Sequence, residues 1–138
     1  MRVILDTNVL LSAFIRVDSK PYQLIEAWID GRFELVSSAE QLAKLTRASR
    51  YPRLRRYLEP AKIGWLTNRI RDRALLVARL PEVDVAGDPA DNFLLAMAEE
   101  SAAHYLVTGD KSDLLPIRQH GSTRLVSVSH MVSTLKLR

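Results

Sequence analysis

Cysteine is absent from the 138 residues, which excludes a disulfide scaffold, a thiolate zinc site and a cysteine nucleophile together. Histidine is scarce too. His104, His120 and His130 are the only imidazoles, and nothing in their spacing motivates them as ligands, so surface or loop roles are expected. No apolar run approaches the ~20 residues of a membrane span. The first apolar stretch is broken at once by Asp6 and Asn8, so no secretory leader is expected and a cytoplasmic location is. Negative charge is the scarcer sign, with 16 Asp+Glu against 20 Lys+Arg and a net charge of +4. What is present, 47% apolar and 26% charged residues, suits a single compact domain over 1–138 with its own core.

The positive charge is concentrated. Residues 47–79 hold nine Arg and one Lys against Glu59 and Asp72, a local balance of +8 that leaves −4 for the rest. Solvated helix faces would account for some of this. The dominance of Arg over Lys points further, because guanidinium is the better bidentate phosphate ligand. Arg47, Arg50, Arg53, Arg55 and Arg56 are the candidate contacts to a nucleic-acid backbone, and their spacing lets only some face one side.

Apolar patterning predicts alternating elements. Arg2–Leu5 reads as a buried strand, Lys20–Asp30 as a helix stopped by Gly31, and Phe33–Val36 as a second strand. Ser38 can cap a helix running to about Ser49, and Pro60 opens another whose stripe is Ile63, Leu66, Ile70, Ala74 and Val77. Val83–Val85 reads as a weak strand, Pro89–Ala102 as a helix, Tyr105–Thr108 and Arg124–Val128 as strands, and the C-terminal residues as a closing helix. Such alternation implies an α/β domain with a mostly parallel sheet.

In that architecture ligands sit beyond the carboxyl ends of the strands. Asp6 directly follows the first strand, Asp110 and Asp113 follow the strand ending at Thr108, and Asp88 and Asp91 open a helix. Each has a modest explanation on its own: Asp88 as a helix cap, Asp91 facing the macrodipole, Gly109-Asp110 as a turn, Asp113 as a cap, Asp6 in a turn with Thr7 or Asn8. Together they demand more, because two carboxylates ~6 Å apart repel by roughly 3 kcal/mol at an effective dielectric of 20. An all-oxygen cluster favours Mg²⁺ or Mn²⁺ over zinc. A hard divalent cation beside an Arg-rich surface is suited to phosphodiester hydrolysis.

These residues carry a resemblance. Val3-Ile4-Leu5-Asp6-Thr7-Asn8-Val9-Leu10, Asp91-Asn92-Phe93-Leu94-Leu95-Ala96 and Leu106-Val107-Thr108-Gly109-Asp110-Lys111-Ser112-Asp113-Leu114-Leu115 resemble, in order and spacing, the motifs of the PIN-domain family, prokaryotic VapC-like toxin branch. The resemblance implies a three-layer α/β/α sandwich with a central, mostly parallel sheet. It also implies a Mg²⁺- or Mn²⁺-dependent endoribonuclease acting as the toxin of a type II toxin–antitoxin pair. Its site would use Asp6, Asp91 and Asp110 as metal-site acids, Asp113 as an auxiliary one, and Asn8, Thr108 and Asp88 as supporting polar groups. Its partners would be an RNA substrate, a cognate antitoxin and a second copy of the chain. Trp28, Trp65, Leu75 and Leu76, more apolar surface than one stripe can bury, support the homodimer and an exposed groove for an amphipathic helix, although the monomer core could also absorb them.

One position departs from the pattern. Ser38-Ala39-Glu40-Gln41-Leu42-Ala43-Lys44-Leu45 puts Lys44 where the family carries a catalytic Glu, and Glu40, one turn earlier, is the nearest replacement. Three explanations stand side by side: an inactive natural variant, a disarmed toxin, or a site using Glu40. A PIN scaffold that binds RNA or an antitoxin without cutting is therefore the alternative function. A haloacid-dehalogenase-like phosphatase is a remote one, since that pattern wants an acid at position 8, where this chain has Asn8.

Overall fold

The computed structural model describes residues 1–137. A six-stranded sheet forms its centre, in the order β3-β2-β1-β4-β6-β5. Strand β1 is Arg2–Leu5, β2 Glu34–Ser38, β3 Leu75–Val77, β4 Tyr105–Val107, β5 Gln119–His120 and β6 Thr123–Val126. All pairings are parallel except β5 with β6, which are antiparallel. The expected α/β class with a mostly parallel sheet is therefore the observed one.

Alternation along the strands builds two cores. Val3 and Leu5 of β1 face a core completed by helices α1 (Thr7–Ile15), α2 (Lys20–Ile29), α3 (Ala39–Ser49), α5 (Pro60–Arg73) and α7 (Val128–Thr134). Ile4, Val36, Leu106 and Leu125 face the other way, onto helix α6 (Asn92–Ser101). A one-turn helix, α4 (Pro52–Arg55), lies between α3 and α5. Helices on both faces of the sheet give the three layers.

Local signals behave as the sequence predicts at several ends. Ser38 caps α3 by accepting from the Gln41 amide at 3.1 Å, Pro60 opens α5, and Gly31 takes a left-handed φ of 79° just past α2. Elsewhere the structure differs. The α5 stripe stops at Arg73, because Ala74 turns extended and Val77 belongs to β3 rather than to the helix. Val83–Val85 is not a strand; the chain from Ala78 to Asp88 lies outside regular structure, with Val83 and Ala86 packed on the α6 core. The helix expected from Pro89 to Ala102 is a 3₁₀ turn over Pro89–Asp91 followed by α6, which ends where Ala102 adopts a left-handed φ of 51°. Strand β6 stops at Val126 because Ser127 caps α7. Trp28 is buried in the core, whereas Trp65 is 39% and Leu76 40% exposed.

Candidate metal and phosphate site

Strands β2 and β4 lie on opposite sides of β1, and chain order reverses direction there, which makes the β1–β4 boundary the switch point of the sheet. Asp6 ends β1 at that boundary. Its amide donates to the Val107 carbonyl of β4 at 2.9 Å, and its carboxylate accepts from the Thr108 hydroxyl at 2.6 Å and the Asn8 amide at 3.4 Å. The turn with Asn8 is therefore formed, and it caps α1. Burial raises the Asp6 pKa, the Thr108 and Asn8 hydrogen bonds pull it down, and the Asp110 charge pushes it up again.

Thr108 links a second acid to the first. Its Oγ1 accepts from the Asp110 amide at 3.0 Å while donating to Asp6. Asp110 in turn uses Oδ1 to accept from the Ser112 and Asp113 amides, both at 2.9 Å, which folds the loop after β4 into a tight turn. That turn carries Asp113 towards α6.

Helix α6 runs antiparallel to the strands on its way into β4, so its start lies at the same carboxyl edge. Asp88 caps the 3₁₀ turn by accepting from the Ala90 amide at 3.0 Å, as expected, whereas the Asp91 side chain caps nothing. Asp91 instead hydrogen-bonds Asp110, and its pKa is pushed up to about 6. Desolvation is the largest cause, followed by the charges of Asp6, Asp88 and Asp110. Like charge contributes, as the sequence predicts, but burial contributes more. Carboxylate oxygens of Asp88, Asp91 and Asp113 all lie within 4.8 Å of one another.

Five aspartates from three separate chain segments thus meet at one sheet edge. Asp6 and Asp110 act on Asp91 electrostatically, while the mutually closest trio is Asp88, Asp91 and Asp113. Asp88 and Asp113, expected as a supporting and an auxiliary group, are thus brought together with Asp91. The donor set is entirely oxygen, and one of its acids has a pKa raised by burial and by the like charges around it, so the residues fit a hard divalent cation. Thr7, next to Asp6, buries its Oγ1 without a hydrogen-bond partner among the described residues, so polar capacity is spare beside β1.

The remaining candidates are placed as follows. Asn8 is exposed, and the structure uses its amide, not its side chain, on Asp6. Glu40 is exposed in the first turn of α3, outside the acidic trio. Lys44 lays its ammonium 4.8 Å from the centroid of the Phe93 ring, two residues beyond Asp91, and forms no ion pair among the described residues. Its ammonium is held by an aromatic face rather than by a carboxylate. Arg47, Arg50, Arg55 and Arg56 line clefts over α3, α4 and α5; Arg53 lines neither.

Two residues that sequence reasoning passes over hold the site together. Gln41 is 1% exposed; it donates to the Leu5 carbonyl at 2.8 Å and accepts from the Ser37 hydroxyl at 2.6 Å, tying α3 to the end of β1. Asn92 accepts from the Val85 and Ala86 amides at 3.1 and 2.9 Å, pinning the irregular segment that delivers Asp88. A polar residue beside a cap and an Asn after an acid were the available signals.

A family model described as PIN domain matches residues 2–112. An uncharacterized protein of Methanocaldococcus jannaschii is 25% identical over 132 residues, covering 95% of this chain and 84% of that protein. No solved structure gives a significant match. Among the described residues, no helix is long and apolar enough to cross a membrane.

Proposed function

Because the chain belongs to the PIN domain family, whose members suggest nuclease activity on RNA or DNA, we propose that it is a divalent-metal-dependent endoribonuclease and the toxin of a toxin–antitoxin pair. The observation that carries this reading is the meeting of Asp6, Asp88, Asp91, Asp110 and Asp113 at the sheet's switch point. Mg²⁺ or Mn²⁺ is the cation that suits such oxygen donors. When bound it supplies charge stabilisation at phosphodiester oxygens and acidifies water.

The protein's own groups have separable tasks. Asp88, Asp91 and Asp113 offer the closest oxygens for the cation. Asp6 and Asp110 add negative potential and are held in position by the single Thr108 hydroxyl. Asp91, its pKa pushed up to about 6 chiefly by burial, is the acid of the cluster whose charged form a bound cation would favour most. The arginines over α3 to α5 attract the phosphates. A cytoplasmic location, a homodimer and an antitoxin partner complete the reading, with half-exposed Trp65 between α1, α2 and α5 as the candidate contact surface.

A second reading has its own support. Lys44, parked on the ring of Phe93 two residues beyond Asp91, puts a cation in place of the acid the family pattern calls for and so lowers the attraction for a metal ion. A chain weakened in this way binds RNA or an antitoxin without cutting. Membership of the PIN family sets the phosphatase reading aside.

Calorimetric titration with MnCl₂, paired with cleavage of a labelled single-stranded RNA with and without EDTA, tests the proposal. Binding that Asp6→Asn and Asp91→Asn both weaken, together with EDTA-sensitive cleavage, is expected. Cleavage indifferent to EDTA and to both substitutions would overturn it, and metal binding without cleavage would favour the second reading.

A further inference from the structure

Residues 79–88 lead the chain from β3 to the acidic centre, and little of the fold holds them. None of them is buried, and none forms an ion pair among the described residues. Leu80, Val83 and Ala86 rest half-covered on the α6 core. Gly87 donates its amide to the Asp113 carbonyl at a long 3.4 Å, and Val85 and Ala86 donate theirs to Asn92 Oδ1 at 3.1 and 2.9 Å. Among the described residues, Asn92 is the one side chain from outside the segment that anchors its backbone. A stretch with so few buried groups and so few bonds belongs to the least stable part of a fold.

That anchor works against a load. Asp88 ends the segment and brings a carboxylate oxygen within 4.8 Å of those of Asp91 and Asp113. Its charge is among those that push the Asp91 pKa up, so the acids repel one another while no cation is bound. The repulsion tends to lift the segment away, and the two bonds to Asn92 oppose it. Asp88 fixes its own carboxylate on the Ala90 amide, but its backbone goes where Val85 and Ala86 lead it. The anchor itself has a firm base. Asn92 opens α6, directly after Asp91, and Phe93, Leu94 and Leu95 that follow are buried. One turn of one helix thus carries both an acid of the site and the clasp that brings a second acid to it.

We propose that Asn92 is a positioning residue for the cation: by holding the Val85 and Ala86 amides it keeps Asp88 beside Asp91 and Asp113, so the trio stands ready before any metal arrives. The proposal rests on the metal-dependent reading above. Its size follows from the two bonds. One hydrogen bond shifts an equilibrium by about fivefold, so losing both shifts the docked segment by up to about twenty-fivefold. Apparent affinity falls with the fraction of chains whose site is assembled.

Amide hydrogen exchange in EDTA and calorimetric titration with MnCl₂, both on the full chain, test this. Asn92→Leu removes the acceptor. Exchange at Val85 and Ala86 then speeds up about tenfold or more, exchange at the Asp6 amide changes less than about twofold, and Mn²⁺ binds about tenfold more weakly. Asn92→Asp keeps the acceptor oxygen and recovers at least about a third of the parent's affinity. Thr123→Val breaks a buried 2.6 Å bond to the Ala103 carbonyl at the opposite, amino end of the sheet. It lowers overall stability and leaves Mn²⁺ affinity within about twofold. Asp88→Asn weakens Mn²⁺ binding by itself, and adding Asn92→Leu to it costs less than about twofold more, because the clasp acts through Asp88.

Unchanged Mn²⁺ affinity in Asn92→Leu, an equal loss of affinity from Thr123→Val, or no recovery in Asn92→Asp would each overturn the positioning role. Full additivity of Asp88→Asn and Asn92→Leu in Mn²⁺ affinity would do so too. The two readings fail distinguishably. A parent chain that binds no Mn²⁺ sinks the metal-dependent reading and this role with it, whereas a parent that binds Mn²⁺ with the Asn92 variants indifferent sinks this role alone.

Discussion

Asp91→Asn should make the metal-free protein more stable at neutral pH and less able to hold a cation. The folded chain raises the Asp91 pKa from 3.8 to about 6, so it binds that proton more tightly than the unfolded chain does. The stability contributed by protonation is fully present below pH 3.8 and is lost as the pH rises through about 6. That displacement converts to about 3 kcal/mol before solvent screening. Asp91 is half-buried, so screening trims this to about 1–2 kcal/mol. Asparagine keeps the size, can donate to the Asp110 carboxylate and carries no charge to repel its neighbours. Urea unfolding in EDTA at pH 7.5 should show the variant about 1–2 kcal/mol more stable than the parent chain, with the gap closing near pH 4. Added MnCl₂ should reverse the order, because only the parent is stabilised by ligand binding to the folded state. A variant less stable at pH 7.5 in EDTA, or a gap that does not change with pH, would refute the electrostatic account of this site.

Thr108→Val removes the hydroxyl that bridges Asp6 and Asp110 while keeping its shape, and should cost about 2–4 kcal/mol in urea unfolding; a loss under 0.5 kcal/mol would mean the bridge matters little, and Thr108→Ser should recover most of it. Gln41→Leu leaves the Leu5 carbonyl and the Ser37 hydroxyl without their partner and should cost a similar 2–4 kcal/mol, with faster hydrogen exchange at the Asp6 amide as its local signature. Lys44→Glu sets a carboxylate against the Phe93 ring and should lower stability by about 1 kcal/mol. The same substitution should tighten Mn²⁺ binding about tenfold in calorimetry and raise RNA cleavage; unchanged affinity would place the ammonium too far from the acids to matter.

The elements legible in the sequence are those whose signals are local. Ser38, Pro60 and Gly31 act through their own backbone geometry, so α3, α5 and the end of α2 are readable without knowing the fold. Helix α1 is not announced in that way: Val9, Leu10, Leu11, Ala13 and Phe14 are all buried, and a run apolar on nearly every side loses the 3.6-residue alternation. Strand β3 has only three residues, and its state is set by pairing with β2, which no local pattern encodes. At the site, the acids were legible because each ends or begins an element. Which of them lie closest was not: Asp88 and Asp113 join Asp91 through the Asn92 clasp and the Asp110 turn, contacts between segments more than twenty residues apart in the case of Asp113. Gln41 was hidden for the opposite reason, a polar side chain that looks solvated but sits against the end of β1.

Gly87 is the one residue of the acidic loop that contributes by having no side chain. Its amide meets the Asp113 carbonyl at 3.4 Å, and a methyl group built there would lie 2.3 Å from Asp113 Oδ1. Any side chain at this position forces the Asp113 carboxylate to shift from its place beside Asp88 and Asp91, while Gly87 itself is exposed and packs on no core residue. In a population of variants, changes at Gly87 would therefore behave as masked lesions: chains that express, fold and melt like the parent, carry every acid of the cluster, and have nonetheless lost the close approach of Asp113 to Asp88 and Asp91.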